Sequence, residues 1–332
     1  MSVAGLPAAA ATSGAPASAA WPMGYLHTFG PRADPATALT WGLLDISIAV
    51  IAVITFLVAA GVVVRRARAS LPAVSEPSGA AWITIGVGLT VVVLAACLLW
   101  TVRVVAEIDS PALRPDLTLQ VDARRWWWRL GYPGVQGGAG GFFSANEIHI
   151  PVGRPVLVEL TSPDVIHSFW VPALTGKTET IPGRTNISWM QADQPGAFRG
   201  QCTEYCGVQH AQMALVVVAQ PQAEFDAWRA AQAAPAAQPD TAETRQGEAV
   251  FEVHCAVCHT VRGSLAHGQA GPDLTHLMSR GTIASGILPN TTGSLSGWIS
   301  DPQALKPGAL MPATDLSGPQ LGEVVAYLET LK

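Results

Sequence analysis

Residues 202–213 read Cys-Thr-Glu-Tyr-Cys-Gly-Val-Gln-His-Ala-Gln-Met. Two thiolates, an imidazole and a thioether in one loop form the donor set that copper prefers over magnesium or calcium. A second imidazole stands far upstream: His167, in Asp164-Val165-Ile166-His167-Ser168-Phe169-Trp170. Cys202 and Cys206 can both bridge a pair of metals, with one histidine and one weak ligand per metal completing the coordination. A mononuclear blue-copper site uses a single cysteine, so the second cysteine is the discriminating residue. A Cys202–Cys206 disulfide or a zinc site is the competing reading, and it leaves His210 and Met213 unexplained.

A second constellation follows downstream. Cys255-Ala256-Val257-Cys258-His259 is the attachment pattern of a c-type heme, in which two thioethers fix the porphyrin and the adjacent histidine reaches the iron. An amphipathic helical pattern precedes it, Gly271-Pro272-Asp273-Leu274 lies a short loop downstream, and Leu310-Met311-Pro312 offers a sixth ligand. Met278 is the rival methionine. His27, His149, His254, His267 and His276 have no carboxylate or cysteine at ligand spacing and read as surface or packing residues. Cys97, in a long apolar run, reads as a small buried hydrophobe.

These residues need elements to hold them. The 332 residues allow two or three domains. Only 13% are charged, and mean hydropathy is +0.30, so part of the chain belongs in lipid. A net charge of −5 with no basic stripe excludes a nucleic-acid partner. Residues 1–40 read as an Ala/Pro/Ser/Gly tail, with Ala17-Ser18-Ala19 as a candidate leader-cleavage pattern. Segments 41–64 and 81–106 are each long enough to span a bilayer of about 30 Å, with Trp41, Trp82 and Trp100 near the ends. Arg65, Arg66 and Arg68 lie in the loop expected between them, which puts that loop in the cytoplasm and everything after residue 106 outside.

Residues 107–230 change to short alternating runs broken by Gly and Pro, with strands expected at 117–121, 147–150, 156–160 and 215–218 and a closing helix at 224–230. That is an all-β sandwich or small barrel. Residues 231–242, rich in Ala, Gln and Pro, read as a flexible linker. Residues 243–332 carry helical patterns at 247–253, 295–300 and 319–331.

Over both spans and the β region the sequence resembles the subunit II family of heme-copper cytochrome c oxidases. The likeness shows in Val165-Ile166-His167-Ser168-Phe169, in Gly176-Lys177 with Ile181-Pro182-Gly183-Arg184, and in Cys202 to Met213. It implies a cupredoxin fold and a mixed-valence dinuclear copper centre. Cys202 and Cys206 would bridge, with His167 and His210 as terminal ligands and Met213 and the Glu204 carbonyl as weak ones. The Glu204 side chain would point to a magnesium shared with subunit I. Trp126, first of three consecutive tryptophans, matches the family's point of electron arrival, and Glu107 resembles a carboxylate at the mouth of a proton channel. Residues 243–332 resemble class I cytochrome c. That likeness implies that the Pro272 carbonyl orients His259, and it favours Met311 over Met278 as the axial ligand.

Together these imply an oxidase subunit II in a bacterial inner membrane, crossing it twice, with its copper and heme domains on the periplasmic side. Electrons would pass from its own heme to the copper pair and on to heme in subunit I, where oxygen is reduced. Subunit III is a further partner, and a quinol–cytochrome c reductase or a soluble cytochrome c is the donor. A copper-containing subunit of a nitric oxide reductase is the alternative. Eight histidines are too few for nitrous oxide reductase, and a heme domain with two spans has no use in a copper chaperone.

Overall fold

The computed structural model describes residues 23–24, 26–68, 79–134 and 140–332. The candidate leader-cleavage site lies outside them. Helices α1 (Asp34–Arg68) and α2 (Gly79–Asp109) run 35 and 31 residues, well beyond the roughly 20 that cross a bilayer. Helix α1 begins at Asp34, followed by Pro35, a pairing suited to a first turn, so the expected tail ends before residue 40. Arg65 and Arg66 are in its last turns rather than in a loop, where cations face the negative helix end. The two helices approach closely at Gly42, where a Cβ would come within 2.2 Å of the Trp100 ring.

The stretch before α1 is bound to the β region. Phe29 N–H donates to Ala173 O at 2.8 Å, its carbonyl accepts from Asp193 N–H, and Arg32 reaches Ser188 Oγ at 2.7 Å. In the last turn of α2, the Ile108 carbonyl accepts from Trp189 Nε1 at 3.0 Å. The start of α1 and the end of α2 therefore meet the same face of the β region.

That region is a sandwich of two five-stranded sheets. The strands are β1 (Leu117–Arg124), β2 (Trp127–Tyr132), β3 (Phe142–Ala145), β4 (Glu147–Pro151), β5 (Val156–Thr161), β6 (His167–Trp170), β7 (Thr178–Thr180), β8 (Asn186–Met190), β9 (Gly196–Cys202) and β10 (Ala214–Gln220). The orders are β3-β2-β1-β5-β8 and β4-β10-β9-β6-β7, with β1–β5 and β4–β10 parallel. Alternation places Leu117, Leu119, Val121 and Ala123 of β1 inward, opposite Val156, Val158 and Leu160 of β5. Helix α3 (Gln222–Ala233) closes the sandwich through Phe225 and Trp228.

In the C-terminal region, α4 (Ala242–His254) crosses α7 (Gly318–Leu328), with α5 (Thr292–Ser300) and the single-turn α6 (Pro302–Leu305) beside them. The crossing needs Gly247, whose added Cβ would lie 2.0 Å from Glu323 O. Residues 231–242 are not a free tether. Arg262 donates to Gln232 O at 2.6 Å, Ala236 N–H to Arg262 O at 2.8 Å, and His276 Nε2 lies 3.0 Å from Ala234 O. Ala236 is buried in the C-terminal core. Composition suggests flexibility, but the segment's carbonyls are bound by side chains it meets only in the folded protein.

Candidate metal centres

Strand β6 carries His167 into the sandwich, and β9 ends on Cys202. The loop between Cys202 and β10 is closed by Cys202 N–H to Met213 O at 3.0 Å and His210 N–H to Gly207 O at 3.0 Å. Cys202 and Cys206 Sγ atoms lie 3.8 Å apart. His167 Nδ1 is 3.9 Å from Cys202 Sγ, and His210 Nδ1 is 3.7 Å from Cys206 Sγ. Met213 Sδ stands 3.9 Å from Cys206 Sγ, and Glu204 O is 3.3 Å from Cys202 Sγ. His167, Cys202, Cys206 and Met213 are all buried. Among the described residues, His167, Cys202 and Cys206 are the one His/Cys/Asp/Glu group of three or more spaced to hold a metal. Every donor atom here is sulfur, imidazole nitrogen or carbonyl oxygen, so the cluster suits a dinuclear copper centre.

Asp164 orients this cluster and was not singled out by sequence. Its Oδ1 is 2.8 Å from His167 Nε2, and backbone N–H groups of Arg125 and Val165 donate to it at 2.8 and 2.6 Å. Burial alone would raise its pKa, but the His167 hydrogen bond and these donors hold it below the ordinary carboxylate range. Burial would likewise lower His167, yet contacts with Cys202 and Asp164 outweigh it and raise that histidine. The Cys206 thiol beside it, and then His167, draw the Cys202 thiol well below its ordinary value. The signal in sequence was an acidic residue three before the histidine, which propensity alone does not interpret.

Trp126 sits in the turn before β2, so the three tryptophans do not alternate along one strand. Trp128 is fully buried and Trp127 half-buried. The Trp126 Nε1 donates to Cys206 O at 3.0 Å. Its ring covers Gly207, at φ +120°, where a Cβ would come within 2.9 Å of it. Glu107 is exposed on the last turns of α2.

A largely apolar cavity opens in the C-terminal region. Cys255, Cys258, His259 and Met311 line it, together with Leu295 and Trp298. His259 Nδ1 lies 2.9 Å from Pro272 O, and burial lowers its pKa. Gly271 permits that placement, since a Cβ there would meet the His259 ring at 2.5 Å. Met278 is not among the lining residues and packs with the core, its N–H on Leu331 O at 2.8 Å. Two cysteines, a histidine and a thioether around a largely apolar space fit a covalently held heme. Trp126 is also in the wall of this cavity, so one side chain borders both constellations.

His149 needs a correction: it has a carboxylate partner. Its Nε2 is 3.0 Å from Glu147 Oε1, its Nδ1 is 2.8 Å from Gln220 Oε1, and its ring stacks on Trp228 with centroids 4.0 Å apart. Residues i and i+2 of a strand share a face, which is how the pair forms. The second Glu147 oxygen accepts from Gly281 N–H of the C-terminal region at 2.9 Å. Lys306 also escaped the sequence reading. It is 3% exposed, and burial pushes its ammonium down to about 7.

Comparison with known proteins now has a site to explain. A family described as "Cytochrome C oxidase subunit II, periplasmic domain" matches residues 135–220, and one described as "Cytochrome c" matches residues 244–332. Cytochrome c oxidase subunit 2 of Alkalihalophilus pseudofirmus is 38% identical over 254 residues, covering 76% of this chain and 72% of the relative. The same subunit of Bacillus sp. (strain PS3) is 31% identical over 266 residues, covering 76% and 73%. The solved periplasmic domain of subunit II of cytochrome oxidase from Bradyrhizobium japonicum is 33% identical, covering 37% of this chain and 96% of that one at a TM-score of 0.34.

Both constellations are donor sets suited to one-electron centres, and with the matches above they define the class as a membrane-anchored electron-transfer protein of a terminal oxidase. The extent of likeness to the two bacterial subunits narrows that class. The chain belongs to the cytochrome c oxidase subunit 2 family, with a cytochrome c domain at its C-terminal end. Membership implies a dinuclear copper centre, a heme c and a subunit I partner.

Proposed function

We propose that Cys202 and Cys206 bridge two copper ions, with His167 and His210 as terminal ligands and Met213 and the Glu204 carbonyl as weak ones. Heme c is attached through Cys255 and Cys258, with His259 and Met311 on its iron. The observation that carries the copper reading is the pair of thiols 3.8 Å apart, with an imidazole Nδ1 at 3.9 Å from one and 3.7 Å from the other. When bound, the heme and the copper pair supply two one-electron couples in series between an external donor and heme in subunit I, where oxygen is reduced.

The chain's residues hold this arrangement rigid. Asp164 accepts the Nε2 proton of His167, which leaves Nδ1 free to ligate. The Pro272 carbonyl accepts from Nδ1 of His259, which leaves Nε2 free to ligate. Trp126 is the point of electron arrival at the copper loop, through its ring and its hydrogen bond to the Cys206 carbonyl. The working divisions are a tail ahead of α1, the α1–α2 hairpin that begins at Asp34, a copper domain to residue 230, a connector at 231–242 and a heme domain at 243–332.

The placement is a bacterial inner membrane, crossed twice, with both metal domains outside. Arg65 and Arg66 at the far end of α1 support that orientation. Subunit III is a further partner, and a quinol–cytochrome c reductase or a soluble cytochrome c is the donor. The Glu204 side chain faces a magnesium at the subunit I interface, and Glu107 a proton channel. Electron paramagnetic resonance of the intact chain tests the central assignment. One unpaired electron coupled to two copper nuclei is expected, and the pattern of a single nucleus overturns it.

A further inference from the structure

We propose that Lys306 is a positioning residue for electron passage between the heme and copper regions, fixing the seat of Trp126 against both. The proposal rests on the ligand assignments above. Its ammonium is buried, and all three of its donors end on carbonyls: Trp126 O at 2.7 Å, Gln212 O at 3.0 Å and Ala284 O at 3.3 Å. Trp126 and Gln212 belong to the copper side, and Ala284 to the heme side. No ion pair among the described residues includes Lys306. A cation without a carboxylate is expensive to bury, and here carbonyl dipoles from two regions replace its water. Separation of the regions would strip two of the three.

The surrounding contacts converge on the same place. Ser285 Oγ donates to the Trp126 carbonyl at 2.7 Å, and Ser285 O accepts from Ala214 N–H, next to Met213, at 3.2 Å. Gln209, next to His210, donates through Nε2 to Pro307 O at 2.7 Å. Gly308, at φ +84°, lies so close that a Cβ would meet Val208 at 3.2 Å and the Trp126 ring at 3.7 Å. Met311 follows three positions later on the same loop. Successive residues of one heme-side loop thus grip Trp126 and the neighbours of two copper ligands. Lysine suits the task because its flexible stem ends in a point charge with three donors. The step it positions moves one electron from ferrous heme to the oxidised copper pair, with no bond made or broken.

The test uses the full-length chain carrying Lys306→Met, with Ser285→Ala as a milder variant that removes the other donor to the same carbonyl. Flash reduction of the heme, followed by the optical signal of copper, reads the intramolecular rate. Lys306→Met is expected to slow it several-fold, because an electron's passage weakens with each added fraction of an ångström between the centres. Ser285→Ala slows it less and leaves the heme potential and the copper resonance spectrum unchanged, whereas Lys306→Met, which removes a buried cation from the cavity wall, lowers the heme potential and leaves the copper spectrum unchanged. Hydrogen exchange on copper-depleted protein that keeps its heme should show faster exchange at 124–128 and 282–286 in both. An unchanged rate with unchanged exchange overturns the proposal. A slower rate in Ser285→Ala accompanied by a shifted heme potential, or an altered copper spectrum in either variant, also overturns it, because the residue then acts on a metal and not on the contact. A wild-type chain without the two-copper spectrum defeats the ligand assignment instead. The exchange comparison then decides the clamp alone, faster exchange upholding it and unchanged exchange overturning it.

Discussion

The copper and heme regions solve the same task with opposite constructions. Most of the copper ligands share the loop at 202–213, while His167 comes from a strand 35 residues upstream of Cys202, all on a sandwich whose interior is already full: Trp128, Phe169, Leu119 and Met213 have no exposure. The heme ligands start from one contiguous motif, and the region around them keeps an open apolar cavity. A packed interior holds its site in place without the metal, whereas a hollow one needs the cofactor to complete its core.

The largest expected effect tests that contrast directly. Replacing Cys255 and Cys258 together by serine should abolish heme attachment and release residues 243–332 into rapid hydrogen exchange, while the strands stay protected. Chelating copper from the unmutated chain should leave both regions folded. Equal loss of protection in the two cases would erase the distinction. Next in size, Cys206→Ser should convert the two-nucleus resonance spectrum to that of one copper, while Met213→Leu keeps both nuclei. Retention of two coupled nuclei in Cys206→Ser would mean that this sulfur does not bridge.

A smaller effect sharpens the heme side. Met311→Ala should lower the heme potential by on the order of 100 mV, within the roughly 0.8 V that axial ligands span, while Met278→Ala leaves it nearly unchanged. Redox titration of the two variants decides, and the reverse ranking would move the ligand to Met278, which packs half-buried against the core.

The smallest effect lies where the regions touch. Burial would raise the Glu147 pKa, but His149, the Gly281 N–H and Arg280 outweigh it and hold the carboxyl below its ordinary value. A depressed carboxylate contributes stability that is fully present above its unfolded value of about 4.3 and is lost as pH falls through the folded one. Protection of the Gly281 amide, corrected for intrinsic exchange, should therefore weaken below about pH 4, and Glu147→Gln should flatten that dependence. The same pH dependence in both proteins would assign it to another group.

Legibility in the sequence follows the same contrast. Cys255 to His259 and Cys202 to Met213 can be read because covalent attachment and bridging dictate local spacing. The strands and helices follow from periodicity, as at Leu117 to Val121 in β1. His149 could have been paired with Glu147 from strand alternation alone. Lys306 could not have been placed. Its partner Trp126 is 180 residues away, and nothing in the local pattern distinguishes a cation bound for an interface from one bound for solvent. Residues 231–242 mislead for a related reason, since their composition describes a free chain and their partners Arg262 and His276 lie outside the segment.

That strapped connector changes the entropy of the protein's work. A free tether of a dozen residues would wander over roughly 20 Å, and each meeting of donor and acceptor would cost the closing of a loop. With Gln232, Ala234 and Ala236 already bound, that loss of freedom is taken once, during folding. Electron passage then has no diffusive search in front of it. The interval between heme and copper is set by the shape of one body and not by the length of the chain that joins them.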